Sequence, residues 1–252
     1  MGRHAGELAA SNAFFGVDTS LMNKVNLQDK VYLTLRNALI RGHFEPGAQL
    51  TIRVLAKALG TSIVPVRDAL QRLVAERSLE LRGNRSACVP VIDREHFAEL
   101  TRIRIMLEGE AMRSIPLPPR PDQLDALELA NRKFELAVNR GDAEAVTDAN
   151  MEFHFMLYRL AGGEMLYGMI ETLWVRAGPM MRTPFRAETY DPIVFRNGIE
   201  RHREILDALQ KNDGEQAKQA LLRDISDTAL WYQEHIVSDE DADVQHSVAR
   251  SA

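Results

Sequence analysis

Leu59 to Leu73 reads L-G-T-S-I-V-P-V-R-D-A-L-Q-R-L, and it decides how the N-terminal part of the chain folds. Upstream, Ile52, Leu55, Ala56 and Leu59 recur at helical spacing. Gly60-Thr61-Ser62 then supplies a short turn, with glycine free to take a positive φ. A second helix follows. Ser62 suits its N-cap, and Pro65 falls in the first turn, where a missing N–H leaves no intrahelical bond unmade. Val66, Leu70, Leu73 and Val74 form one apolar stripe. Arg67, Asp68, Gln71 and Arg72 lie off it, on a face that can enter a DNA major groove.

Helical hairpins of this kind also occur in ordinary bundles, so the flanks decide between the readings. Leu27, Val31, Leu35 and Leu39 mark a preceding helix, and F-E-P-G-A-Q-L (Phe44 to Leu50) reads as a turn. Leu79 to Val91 reads as a two-stranded hairpin with Gly83-Asn84 at its tip. Three helices followed by a hairpin make a winged helix-turn-helix, whose third helix reads base edges while the wing meets backbone or minor groove. Charge agrees. Between Asn26 and Pro90 ten basic residues face five acidic ones, whereas Val91 to Ala252 has nineteen basic against twenty-nine acidic. The whole-chain charge of −5 therefore hides a basic module that a phosphate backbone would attract.

A length of 252 residues suffices for two modest domains, with the charge change near Val91 marking their junction. The expected division is a loose N-terminal arm over 1–25, a DNA-binding domain over 26–91, an all-helical domain over 92–237 and an acidic disordered tail over 238–252. Cys88 is the only cysteine, which excludes an intrachain disulfide and a thiolate zinc cluster. No apolar run is long enough to span a bilayer and the N-terminus lacks a signal-peptide core, so a cytoplasmic protein with no membrane partner is expected.

The second half is helical by pattern and punctuation. Six segments are expected: about 93–114, 121–140, 142–161, 164–181 with an interruption at Gly178-Pro179, 192–211 and 214–236. The predicted fold is thus mainly α, a winged helix-turn-helix followed by a six-helix antiparallel bundle, whose centre is a usual place for a ligand or metal.

Polar residues can converge on that centre if they face inward. His154 sits in the apolar run N-M-E-F-H-F-M-L-Y, with Asn150 one turn earlier on the same face. His202 lies eleven residues before Asp213, at a helix–helix turn, and Asp224 eleven after it, so both stand about 16 Å from the turn at 1.5 Å per residue. Two imidazoles, a carboxylate and an amide oxygen form a donor set for Zn²⁺ or another divalent first-row metal. A buried hydrogen-bonded network, with Asp224 accepting from a histidine, is the other reading. Trp174, Tyr158, Phe155 and Trp231 suit either stacking on a ligand ring or core packing.

With these residues in view, the chain resembles the GntR family of bacterial transcription regulators, in the branch with a FadR-type helical ligand domain called FCD. The resemblance covers about 27–236. It rests on P-G-A-Q-L, L-A-K-A-L-G-T-S and P-V-R-D-A-L-Q-R-L with the Gly83 wing, then on R-I-M-L-E from Arg104, F-H at Phe153-His154 and H-R-E-I-L-D-A-L from His202. Six C-terminal helices look more like the VanR-type subgroup.

The resemblance implies DNA contacts at Arg53, Ser62, Arg67 and Gly83. Ile63 stands where the family commonly has arginine, so a different operator is expected. It implies metal ligands at Asn150, His154, His202 and Asp224, where the family often has Asp, His, His and His. One carboxylate has in effect moved across the site. Arg104 matches an arginine that often lines the effector pocket, though it could equally pair with Glu108 on its own helix. The function implied is a homodimeric regulator, a repressor of a catabolic operon, which binds a palindromic double-stranded operator and is released by a small carboxylate effector near the metal. Two alternatives are a DNA-binding architectural protein with a purely structural bundle and a metal-dependent hydrolase. No H-E-x-x-H helix, G-x-S-x-G elbow or P-loop supports the second.

Overall fold

The structure is a computed structural model and describes residues 26–82, 86–185 and 193–235. The expected N-terminal arm, the acidic tail and the wing tip at Gly83-Asn84 lie outside the described residues. Two compact units divide the chain between Val91 and Ile92, except that Val175–Met180 groups with the first unit. Nine α-helices and a small sheet make up the described residues.

The first unit holds α1 (Leu27–Ile40), α2 (Ile52–Ala58) and α3 (Ile63–Ala75), with strands β1 (Gln49–Thr51), β2 (Glu80–Leu81) and β3 (Ser86–Cys88). α1 buries Val31, Tyr32, Leu35 and Leu39, and α3 buries Val66, Ala69, Leu70 and Leu73. The two helices pack on each other. Removing a fully buried side chain such as Leu73 would cost roughly 2–5 kcal/mol. The turn between α2 and α3 closes as a Schellman motif. Thr61 N–H donates to the Ala56 carbonyl at 3.0 Å and Gly60 N–H to that of Lys57 at 3.3 Å, with Gly60 at φ +61°. A Cβ at Gly60 would meet no atom within 4 Å, so the backbone angle, and not space, requires glycine there.

The segment read as a plain turn at Phe44 to Leu50 ends in strand. Gln49–Thr51 pairs antiparallel with β3, Gln49 opposite Cys88 and Thr51 opposite Ser86, while β2 pairs with the other edge of β3. The sheet is therefore three-stranded, in the order β1-β3-β2. A three-residue strand is too short for alternation to reveal, and its partner lies some forty residues away.

The second unit is built from α4 (Arg94–Arg113), α5 (Pro121–Arg140), α6 (Ala143–Leu160), α7 (Glu164–Met181), α8 (Ile193–Gln210) and α9 (Gly214–His235), with a 3₁₀ turn at Thr183–Phe185. α7 carries residues of both units. Local signals set the ends. Asp93 caps α4 by accepting from His96 N–H at 2.8 Å, and Asp142 caps α6 by accepting from Ala145 N–H at 3.1 Å. Gly141, left-handed at φ 66°, stops α5. The interruption expected at Gly178-Pro179 does not occur, because α7 continues to Met181 with Pro179 inside its last turn. A proline there forfeits one helical bond close to an end that frays anyway. Buried Phe134, Val138, Val146, Phe195 and Ile199 form a core between α5, α6 and α8.

Candidate functional site

In the first unit α3 has two faces besides its buried stripe. Asp68 accepts from Gln28 Nε2 at 2.8 Å. Arg72 lies 3.6 Å from the centre of the Tyr32 ring and within ion-pair distance of Glu76 and Asp29, while the Tyr32 hydroxyl donates to Glu76 at 2.9 Å. Asp68 and Arg72, expected on the outward face, are thus held against α1. Ile63, Val64, Arg67 and Gln71 are outward as well, while Arg72 remains 53% exposed over the Tyr32 ring. Arg67 pairs with neither Asp68 nor Gln71 and forms no ion pair among the described residues.

Ser62 occupies the N-cap of α3, but its hydroxyl makes no capping hydrogen bond. A serine cap accepts from the second or third helical N–H, and the third residue here is Pro65, which has none. The hydroxyl stays exposed at a helix N-terminus, where unpaired backbone donors and the helix dipole favour an anion. Arg53 is exposed on the first turn of α2. Gly83 lies outside the described residues.

In the second unit His154 from α6, His202 from α8 and Asp224 from α9 converge, with ligand atoms all within 4.8 Å of one another. His154 and His202 approach Nε2 to Nε2 at 3.3 Å, and His154 Nε2 lies 3.3 Å from Asp224 Oδ2. All three residues are buried. Asn150 lines the same pocket one turn before His154, together with Arg104, Trp174 and Phe195. The pocket is a cleft partly open to solvent.

The outer hydrogen bonds set the imidazole tautomers. Tyr158 O–H donates to the fully buried Glu108 carboxylate, so its oxygen accepts from His154 Nδ1–H at 3.1 Å. The Asn131 carbonyl oxygen accepts from His202 Nδ1–H at 3.1 Å. Burial pushes the His202 pKa down to about 3, outweighing the pull of Asp224, so His202 is neutral at physiological pH. With Nδ1–H spent outward, each ring turns an Nε2 lone pair inward, beside a carboxylate.

Lone pairs and an anionic oxygen facing one another repel unless a positive charge lies between them. Two outward-bonded imidazoles and a carboxylate are the chemistry of a divalent first-row metal site, and the donor set fits one. Phe153, stacked on His202 at 4.0 Å between ring centres, and Phe134 exclude water from one side.

Arg104 does both things considered for it. Its Nε donates to Glu108 at 2.7 Å, yet the guanidinium also lines the pocket, 4.8 Å from the centre of the Trp174 ring. Burial opposes its charge, and the Glu108 carboxylate more than restores it, keeping the pKa raised. The Trp174 indole N–H is buried with no hydrogen-bond partner among the described residues. Of the aromatics singled out from sequence, Trp174 lines the pocket, Tyr158 joins the outer hydrogen bonds, Phe155 packs against Tyr167 and Trp174, and Trp231 stacks on His235. Glu108 was expected as a partner of Arg104 but not of Tyr158, and Asn131 and Tyr158 were not anticipated in these roles. Tyr158 is four residues after His154, a spacing that could have pointed to it. Nothing in the sequence links Asn131 to His202.

A helix-turn-helix with a strand-paired hairpin, followed in the chain by a helical bundle, defines a DNA-binding transcription regulator. The chain belongs to the GntR family of bacterial regulators. The profile of the gntR family of bacterial regulatory proteins matches residues 27–89 and that of the FCD domain residues 99–227. The HTH-type transcriptional regulator McbR of Escherichia coli K12 is 33% identical over 86% of this chain and 98% of its own length. The galactonate operon transcriptional repressor of the same organism is 22% identical, covering 79% of this chain and 93% of its own. The solved structure of E. coli McbR/YncC superposes with a TM-score of 0.78 at 32% identity, over 84% of this chain and 99% of that one. A GntR regulator from Rhodococcus sp. RHA1 gives 0.67 at 26% identity, over 82% and 98%. These relatives are transcription regulators and not enzymes, which removes the hydrolase alternative. Among the described residues no helix is long and apolar enough to cross a membrane.

Proposed function

We propose that this protein is a cytoplasmic homodimeric repressor that holds a palindromic operator through α3 and releases it when a small organic acid binds in the pocket of the α4–α9 bundle. The convergence of His154, His202 and Asp224 beside Arg104 carries this reading. A partly buried arginine that keeps its charge, and an indole N–H without a partner among the described residues, are groups an incoming carboxylate satisfies; leaving such a donor unpaired costs roughly 1–3 kcal/mol. A divalent metal, held by His154, His202 and Asp224 with Asn150, supplies a Lewis-acidic anchor for that carboxylate when bound. Asn131 and Tyr158 present the two Nε2 lone pairs, and Glu108 holds Arg104 in place. On the DNA side, Arg67 reads a base edge while Ser62 and Arg53 meet phosphates, with Gly83 of the wing as a further contact. The effector acts by binding more tightly to the conformation with lower operator affinity.

The testing experiment is a thermal-shift screen of an organic-acid library with and without Zn²⁺, alongside metal analysis of the purified protein, sedimentation for the dimer and operator release for each hit. Absence of bound metal, with no Zn²⁺-induced change in melting, would remove the metal from the reading. Operator binding that no acid alters would favour a purely structural bundle.

A further inference from the structure

The first turn of α3 carries two branched aliphatic side chains that the fold does not use. Ile63 is 43% exposed and Val64 52%, although the same helix buries Val66, Ala69, Leu70 and Leu73 and so has its own apolar stripe. Both lie on the outward face. Arg67 follows Ile63 by four residues and Val64 by three, the spacing that aligns side chains on one side of a helix. Asp68 and Arg72, which could have surrounded them with charge, are held against α1 instead. Single exposed aliphatics are ordinary on protein surfaces. Two in succession, at the head of a helix whose exposed polar residues include Arg67, Gln71 and Arg72, have a specific complement in DNA. The major groove offers one apolar group, the C5-methyl of thymine. Isoleucine and valine neither donate nor accept, so they favour a base pair presenting that methyl and disfavour one whose polar edge they would strip of water without replacement.

We propose that Ile63 and Val64 read operator sequence by seating against thymine methyl groups in each half-site. This rests on the proposed reading that α3 enters the major groove. Four residues of helix rise about 6 Å, so these thymines lie within about two base pairs of the base pair that Arg67 meets.

The test begins by selecting operators from a random duplex pool with the full-length protein. Each thymine of the selected half-site is then replaced singly by deoxyuridine, which removes the methyl and leaves base pairing intact, and affinities are compared at fixed salt. Two thymines per half-site should each show binding weakened about fourfold, the factor for burying one methyl group. The Ile63→Ala/Val64→Ala protein should bind thymine and deoxyuridine duplexes equally well at those positions, with an unchanged melting temperature because both side chains are exposed. Ile63→Ala and Val64→Ala alone should each abolish the dependence at one thymine. Deoxyuridine without effect at every position, or a penalty that persists in the double variant, overturns the proposal. Enrichment without methyl dependence removes the methyl contact and leaves α3 as the reading helix. A pool in which no sequence enriches removes both.

Discussion

The outward face of α3 and the centre around His154 differ in how much of the surrounding protein each one needs. α3 displays Ile63, Val64 and Arg67 on one helix, in contact with solvent, and its neighbours only keep Asp68 and Arg72 out of the way. The His154 centre draws ligand atoms from three helices and partners from two more, Glu108 on α4 and Asn131 on α5. Water solvates a surface site. A buried one must supply every hydrogen bond itself. Changes at α3 should therefore alter DNA binding and spare stability, while changes at the buried centre should alter stability and metal binding together.

The largest effect is expected from pH acting on metal-free protein. His202 titrates near 6.5 unfolded and about 3 folded, so between those values the unfolded state holds more protons and stability falls as pH falls. The loss reaches roughly 4–5 kcal/mol from this group once pH nears 3. Urea denaturation across that range should show the slope, and His202→Phe should flatten it.

Next, Glu108→Gln leaves Arg104 and Tyr158 beside a neutral amide in a closed site. Breaking a buried ion pair costs roughly 3–5 kcal/mol, read in the same denaturation experiment. Operator affinity of the folded fraction should not change. If it falls in proportion, the two regions are less separable than their construction suggests.

Arg67→Ala should weaken operator binding by roughly 1–3 kcal/mol with an unchanged melting temperature. An arginine serving only the fold would show the reverse. Asn131→Leu should lower Zn²⁺ affinity about 10–100-fold by freeing the His202 ring to turn, and Co²⁺ titration should report it as a changed ligand-field spectrum.

The smallest effect separates two roles of one residue. Ser62→Ala should cost under about 0.5 kcal/mol of stability, where a functioning serine cap would cost about 1 kcal/mol. Its operator affinity should still drop, since the hydroxyl is free to meet a phosphate.

Most helices could be read from the chain because their signals are local. Asp93, Asp142 and Gly141 announce helix ends within a few residues, and α5 runs from Pro121 to Arg140 as expected. β1 escaped because three residues carry no periodicity. The outward face of α3 was read too broadly, since the period places Asp68 and Arg72 off the stripe without saying that Gln28 and Tyr32 would hold them.

The same limit applies at the centre. Sequence by itself determined that His154 and Asn150 share a helix face, and that His202 and Asp224 stand at equal distances from one turn. Periodicity and turn position are short-range properties. Tertiary structure alone decided that both Nε2 atoms face inward, that Asn131 meets His202 across seventy-one residues, and that Tyr158 and Glu108 join His154 to Arg104. Those relations depend on how helices rotate and slide against one another. Side-chain packing in the core sets them, and no local pattern along the chain records it.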